Sequence, residues 1–148
     1  MTDPIDILVV GAGPAGANAA LAAARHGKYV VLLDEQEKPG GQVWRAKDGS
    51  ILSAPQTPEG SAGDALRTQI TKAQIDHRGG TLIWQIERQS NSWDVHVLRD
   101  GKVERLTAKT LVLATDAREF VQPIPGWTKP GVFGLAGATA LFKQNLSP

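Results

Sequence analysis

The 148-residue sequence has no cysteine, one methionine, one tyrosine and only 5% aromatic residues. Without thiols there is no disulfide scaffold, thiolate zinc site, iron–sulfur cluster or redox dithiol. Any redox chemistry must come from a bound cofactor. An excess of one charge is also missing, since 16 Lys and Arg face 15 Asp and Glu. Nucleic-acid binders concentrate positive charge on one face, so no nucleic-acid partner is expected. No apolar run approaches the roughly 18–20 residues of a membrane span, so no transmembrane segment is expected. The opening Met1-Thr2-Asp3-Pro4-Ile5-Asp6 lacks the positive n-region of a signal peptide, and the expected address is the cytoplasm. His26, His77 and His96 are scattered without ligand spacing, so no metal centre is expected.

What is present is glycine, 16 residues, and a hydrophobic fraction of 41%. The length suits one domain able to bury a core of its own. Ile5–Val10 is a short apolar run rich in β-branched residues, the pattern of a strand buried on both faces of a parallel sheet. Residues 15–26 favour a helix, with Pro14 tolerable in its first turn and Gly27 a natural stop. Its many alanines would let it lie close against a sheet. Tyr29–Leu33 predicts a second buried strand, which completes a βαβ unit.

Residues 38–58 lose all periodicity and predict a long loop, of the kind that is more often functional than idle. The spacing of Leu66, Ile70, Ala73 and Ile75 predicts a helix over 61–77, stopped by Gly79-Gly80. Strands are expected at 81–86, 92–97, 103–107 and 111–115, with Asp100-Gly101 forming a hairpin turn. A short helix is expected at 136–143. Trp84 and Trp93 fall on neighbouring predicted strands and are expected to pack across them.

Gly11-Ala12-Gly13-Pro14-Ala15-Gly16 matches the G-x-G-x-x-G fingerprint of dinucleotide binding. Its glycines would give a tight turn, close backbone approach to a pyrophosphate and close helix packing. The helix that follows would aim its unpaired N–H groups at the phosphates. Asp34 lies 23 residues after Gly11, at the end of the second strand, where a carboxylate can accept hydrogen bonds from ribose hydroxyls. It would repel a 2′-phosphate, which disfavours NADP. The fingerprint serves NAD and FAD alike.

Further phrases favour FAD. Pro39–Arg45 (PGGQVWR), Ala114-Thr115-x-Ala117-Arg118-Glu119 and Pro125-Gly126-Trp127-Thr128-x-Pro130-Gly131-Val132 join Leu33–Gln36 and the first turn in one pattern. The sequence resembles the N-terminal FAD-binding part of the pyridine-nucleotide-disulfide-oxidoreductase-like flavoproteins. Within them it is most similar to the FAD-binding, α-type subunits of opine oxidases, hydrogen cyanide synthases and hydroxyproline dehydrogenases. The resemblance implies a Rossmann-like α/β FAD/NAD(P)-binding domain, a parallel sheet with helices on both faces and a small antiparallel β insertion at about 81–107. It also implies a flavin-dependent oxidoreductase of amines or amino acids. Gly11, Gly13, Pro14, Ala15 and Gly16 would hold the FAD diphosphate, and Asp34 with Glu35 the adenosine ribose. Gly41 and Gln42 would pass along the ribityl or flavin side, Arg45 would offer charge to the diphosphate or flavin, and Thr115 would make a second FAD contact. No residue reads as a catalytic acid, base or nucleophile.

Two departures qualify the resemblance. The family's Ala-Thr-Gly is here Ala114-Thr115-Asp116, and a carboxylate there is expected to weaken FAD binding. No second G-x-G-x-x-G occurs, so residues 1–148 read as the N-terminal portion of an FAD-binding domain without the second dinucleotide domain. The partner expected on that reading is a second oxidoreductase subunit, or another copy meeting the uncovered half-domain surface. The alternatives are a catalytically silent nucleotide-binding or assembly module and an NAD-binding Rossmann domain.

Overall fold

A computed structural model describes residues 4–46, 58–117 and 119–143. Much of the expected 38–58 loop, Arg118 of the Ala114–Glu119 phrase and the last five residues lie outside these. The described chain divides into two compact units, one of residues 4–46 and 58–115, the other of 116, 117 and 119–143.

In the first unit β1 (Ile5–Val10) runs into the glycine turn, α1 (Pro14–Arg25) returns, and β2 (Val30–Leu33) pairs parallel to β1. Leu8, Val9, Val31, Leu32 and Leu33 have no measurable exposure, as the uninterrupted apolar runs require of strands covered on both faces. Pro14 occupies the first turn of α1, where its missing N–H costs nothing. The helix ends at His26 and Gly27, as the sequence indicates.

α2 (Pro58–Lys72) is followed by β3 (Asp76–Arg78). The expected helix over 61–77 is therefore corrected at its end. Gln74 takes a left-handed conformation (φ 54°) that stops the helix, and residues 76–78 extend to pair parallel with β2. Three residues are too few for a strand period to show beside a helical one.

β4 (Leu82–Arg88), β5 (Trp93–Arg99) and β6 (Lys102–Leu113) form an antiparallel meander. The separate strands expected at 103–107 and 111–115 are one. β6 starts antiparallel to β5 and, from Ala108 on, also runs parallel to β1. The sheet order is β3-β2-β1-β6-β5-β4. Asp100 and Gly101, both at positive φ, make the expected β5–β6 turn.

Two cores result. Ala17, Ala20 and Leu21 of α1 and Leu66 and Ile70 of α2 pack with Val9 and Leu32 on one side of the sheet. On the other, Leu8, Val10, Val31 and Leu33 are covered by Val95, Val97 and Leu106 of the meander. The two tryptophans take other neighbours than each other. Trp84, at an irregularity of β4, contacts the His96 ring at 5.1 Å between centroids, and the Arg88 guanidinium lies 5.3 Å over Trp93.

In the second unit α3 (Leu135–Lys143) begins beside the Glu119 carboxylate, whose Oε2 accepts the Ala136 N–H at 3.2 Å. Acceptors of this kind satisfy the free N–H groups of a first helical turn. No helix among the described residues is long and apolar enough to cross a membrane.

Candidate cofactor site

The site forms where the carboxyl ends of β1 and β2 meet the start of α1, the usual ligand crevice of an open parallel sheet. The Gly11 N–H donates to Leu33 O at 2.8 Å, closing the turn onto β2. Gly11 has φ +96°, which a side chain rarely tolerates, and a Cβ there would lie 2.5 Å from the Ala114 carbonyl oxygen. On Gly16 a Cβ would lie 1.9 Å from the Gly11 carbonyl oxygen. These two glycines are thus demanded by the fold.

Gly13 differs. It caps α1 in an ordinary extended conformation (φ −65°, ψ 179°), and a Cβ there would meet nothing among the described residues within 4 Å. Neither backbone strain nor packing calls for glycine at that position. The open space lies at the N-terminus of α1, where no acidic side chain occupies the first turn. An anionic diphosphate fits such a cradle, because the helix end supplies both N–H donors and a positive potential.

Asp34 follows β2 and reaches back to the turn. Its Oδ2 accepts the Ala12 N–H at 2.5 Å and its Oδ1 the Gln36 N–H at 2.7 Å. The carboxylate is thereby fixed at the rim of the turn, and each oxygen keeps a lone pair for a hydroxyl donor. Glu35 beside it is exposed. Ala12 joins the site through its backbone N–H and carbonyl alone, and an alanine in sequence gives no signal of that.

The loop after Asp34 folds back over the turn. The Gly40 N–H donates to Ala12 O at 2.8 Å, and Trp44 N–H to Gly40 O at 3.0 Å. Gly41, at φ +57°, sits so close that a Cβ would lie 2.9 Å from the Gly13 Cα. Gln42 and Arg45 are exposed further along, joined by an Arg45 Nη1 to Gln42 Oε1 hydrogen bond of 3.2 Å. The Thr115 amide nitrogen is 3.2 Å from the position of a Cβ on Gly11, which places Thr115 at the other flank of the turn. Pro14 and Ala15 form the first turn of α1, with Ala15 exposed. All eleven residues expected to bind the cofactor thus lie in these neighbouring segments of the first unit.

His77 of β3 stands close enough to Asp34 to feel its charge. Burial pushes the His77 imidazole below the ordinary range, with the Asp34 and Glu37 carboxylates pulling the other way and Arg99 adding to the depression. Its Nε2 is buried with no hydrogen-bond partner among the described residues. Among the described residues no group of His, Asp or Glu is placed to hold a metal ion.

Comparison with known proteins agrees with this geometry. Residues 5–147 match the model of the pyridine nucleotide-disulphide oxidoreductase family. The chain is 32% identical over 150 residues to an opine oxidase subunit of Agrobacterium tumefaciens (strain Ach5), covering 97% of this chain and 30% of that protein. It is 33% identical over 145 residues to hydrogen cyanide synthase subunit HcnB of Pseudomonas protegens, covering 94% and 30% respectively. Among solved structures, L-proline dehydrogenase from P. horikoshii superposes with a TM-score of 0.79 at 23% identity, over 97% of this chain and 29% of that one. The chain thus spans about 30% of the length of these two curated relatives.

Proposed function

From the premise that this chain belongs to the pyridine nucleotide-disulphide oxidoreductase family, we propose that it is the FAD-binding portion of a flavin-dependent oxidoreductase acting on an amine or amino acid. The observation that carries the reading is Gly13, a glycine that neither a positive φ nor a packing contact among the described residues requires, beside open space at a helix N-terminus. Gly11, Gly13, Pro14, Ala15 and Gly16 would hold the diphosphate, and Asp34, with Glu35 adjacent, the adenosine ribose. Gly41, Gln42 and Arg45 would follow the ribityl and flavin side, and Thr115 would flank the diphosphate. Bound flavin would supply the hydride and electron chemistry, and the residues here would bind and orient it. Residues 1–148 are the N-terminal portion of that domain, with the meander as its insertion. The partner proposed is a second oxidoreductase subunit, supported by relatives that are themselves named as subunits.

Titration with FAD, followed by flavin absorbance and by melting temperature, tests this reading. Wild type is expected to bind FAD in preference to NAD. Gly13→Val is expected to lose no more than about 1 kcal/mol of stability, the cost of replacing glycine at a helix N-cap, and to lose FAD binding by about tenfold or more, since its side chain fills the phosphate space. A wild-type protein that neither colours with FAD nor is stabilised by it would sink the reading and leave a silent assembly module. Undiminished FAD binding by Gly13→Val would remove the phosphate cradle from it.

A further inference from the structure

The loop that carries Gly41 and Gln42 is held in place from α2. Arg67 donates from Nη1 to two loop carbonyls, Pro39 O at 2.8 Å and Trp44 O at 3.1 Å, and from Nη2 to Asp64 Oδ1 at 2.7 Å. Its side chain is about four-fifths buried, with a relative exposure of 19%. A guanidinium is buried to this extent only when it is hydrogen-bonded and paired, and its planar fork suits several acceptors held in fixed directions. The carbonyls it collects stand at the two ends of the loop turn, 28 and 23 residues away in sequence.

A second observation comes from Gly63, one helical turn before Arg67 and on the same face of α2. A Cβ on Gly63 would lie 3.0 Å from the Trp44 Cβ and 3.1 Å from the Trp44 carbonyl oxygen. Glycine inside a helix costs about 1 kcal/mol relative to alanine, so a glycine here calls for a packing reason. Its reason is room for Trp44. Gly63 and Arg67 together form a seat on α2 for the loop, which is also tied to the phosphate turn by the Gly40 N–H to Ala12 O bond.

We infer that Arg67 is a positioning residue for the cofactor. It clamps residues 39–44 from α2 so that Gly41 lies against Gly13 and Gln42 is presented along the ribityl side. The inference rests on the FAD reading for its ligand, but the clamp itself has an independent readout. Arg67 donates to the loop carbonyls and to Asp64, and the loop reaches the turn through Gly40 and Gly41, so loss of Arg67 is expected to weaken the hold on the ribityl and flavin side more than the hold on ADP. FAD and ADP affinities, and amide hydrogen exchange at Gly40 and Trp44, are to be compared between wild type and Arg67→Met. The variant is expected to bind FAD about tenfold more weakly and ADP within about twofold of wild type. Exchange at Gly40 and Trp44 is expected to accelerate while that of β1 stays slow. Arg67→Lys keeps the stem and charge without the fork and is expected to lose less; it stands in if the Met variant does not fold. Unchanged exchange at Gly40 and Trp44 in a folded variant overturns the inference, as does an equal loss for FAD and ADP. Failure of wild type to bind FAD would instead defeat the FAD reading, and the exchange comparison would still decide the clamp.

Discussion

Single residues of the glycine turn have separable duties, which the motif alone does not reveal. Gly11 and Gly16 are required internally, one by its positive φ and both by backbone atoms less than 3 Å from a hypothetical Cβ. Gly13 is free of both demands. Gly16→Ala is therefore expected to destabilise the chain by roughly 1–3 kcal/mol, because a methyl group must push α1 away from the Gly11 carbonyl. Urea unfolding measures it, and stability equal to wild type would show that α1 can shift freely. Such damage should precede any effect on a ligand, the reverse of the order expected at Gly13. Asp34 shows the same limit of motif reading. Its position in sequence indicated a ribose partner, whereas the structure also gives it the internal task of holding Ala12 N–H and Gln36 N–H.

The elements differ in how plainly the sequence announces them. β1 coincides with its expected span residue for residue, because a short run of mostly apolar, β-branched positions ends abruptly at glycine. The Asp100-Gly101 turn is equally plain, since its residues tolerate the positive φ that the hairpin imposes. β3 and the unity of β6 are not legible. Both are decided by neighbours in space, β3 by the free edge of β2 and β6 by two partners it joins at Ala108. That residue is fully buried, opposite Ile5 on one side and Trp93 on the other. Proline at 108 would remove a backbone N–H from a strand that has neighbours on both sides, a place from which proline is normally excluded. Ala108→Pro is accordingly expected to lower the denaturant midpoint strongly. A near-native midpoint would mean that the meander and the parallel sheet are not joined through this strand.

Over the whole first unit, stability is expected to fall on mild acidification through His77. Its folded pKa lies below the unfolded value of 6.5, because burial disfavours the imidazolium more than Asp34, Glu37 and Asp76 favour it, with Arg99 opposing them. The unfolded chain then binds more protons than the folded one as the pH drops below about 6.5, and the stability that neutral His77 allows is lost toward its folded pKa. His77→Gln cannot take up that proton, so its melting temperature should decline less than that of wild type between about pH 7 and 5. Parallel pH profiles would show that His77 does not couple to unfolding. The sequence by itself determined the βαβ unit, the glycine turn, the acid after β2 and the hairpin. Each of these rests on local φ, on apolar period or on fixed spacing, quantities a short window of residues carries. Only the tertiary structure decided that β6 bridges two sheet arrangements, that Gly13 is the motif glycine facing open space, and that Arg67 grips the loop from a distant helix. These depend on which segments meet after the chain has closed on itself.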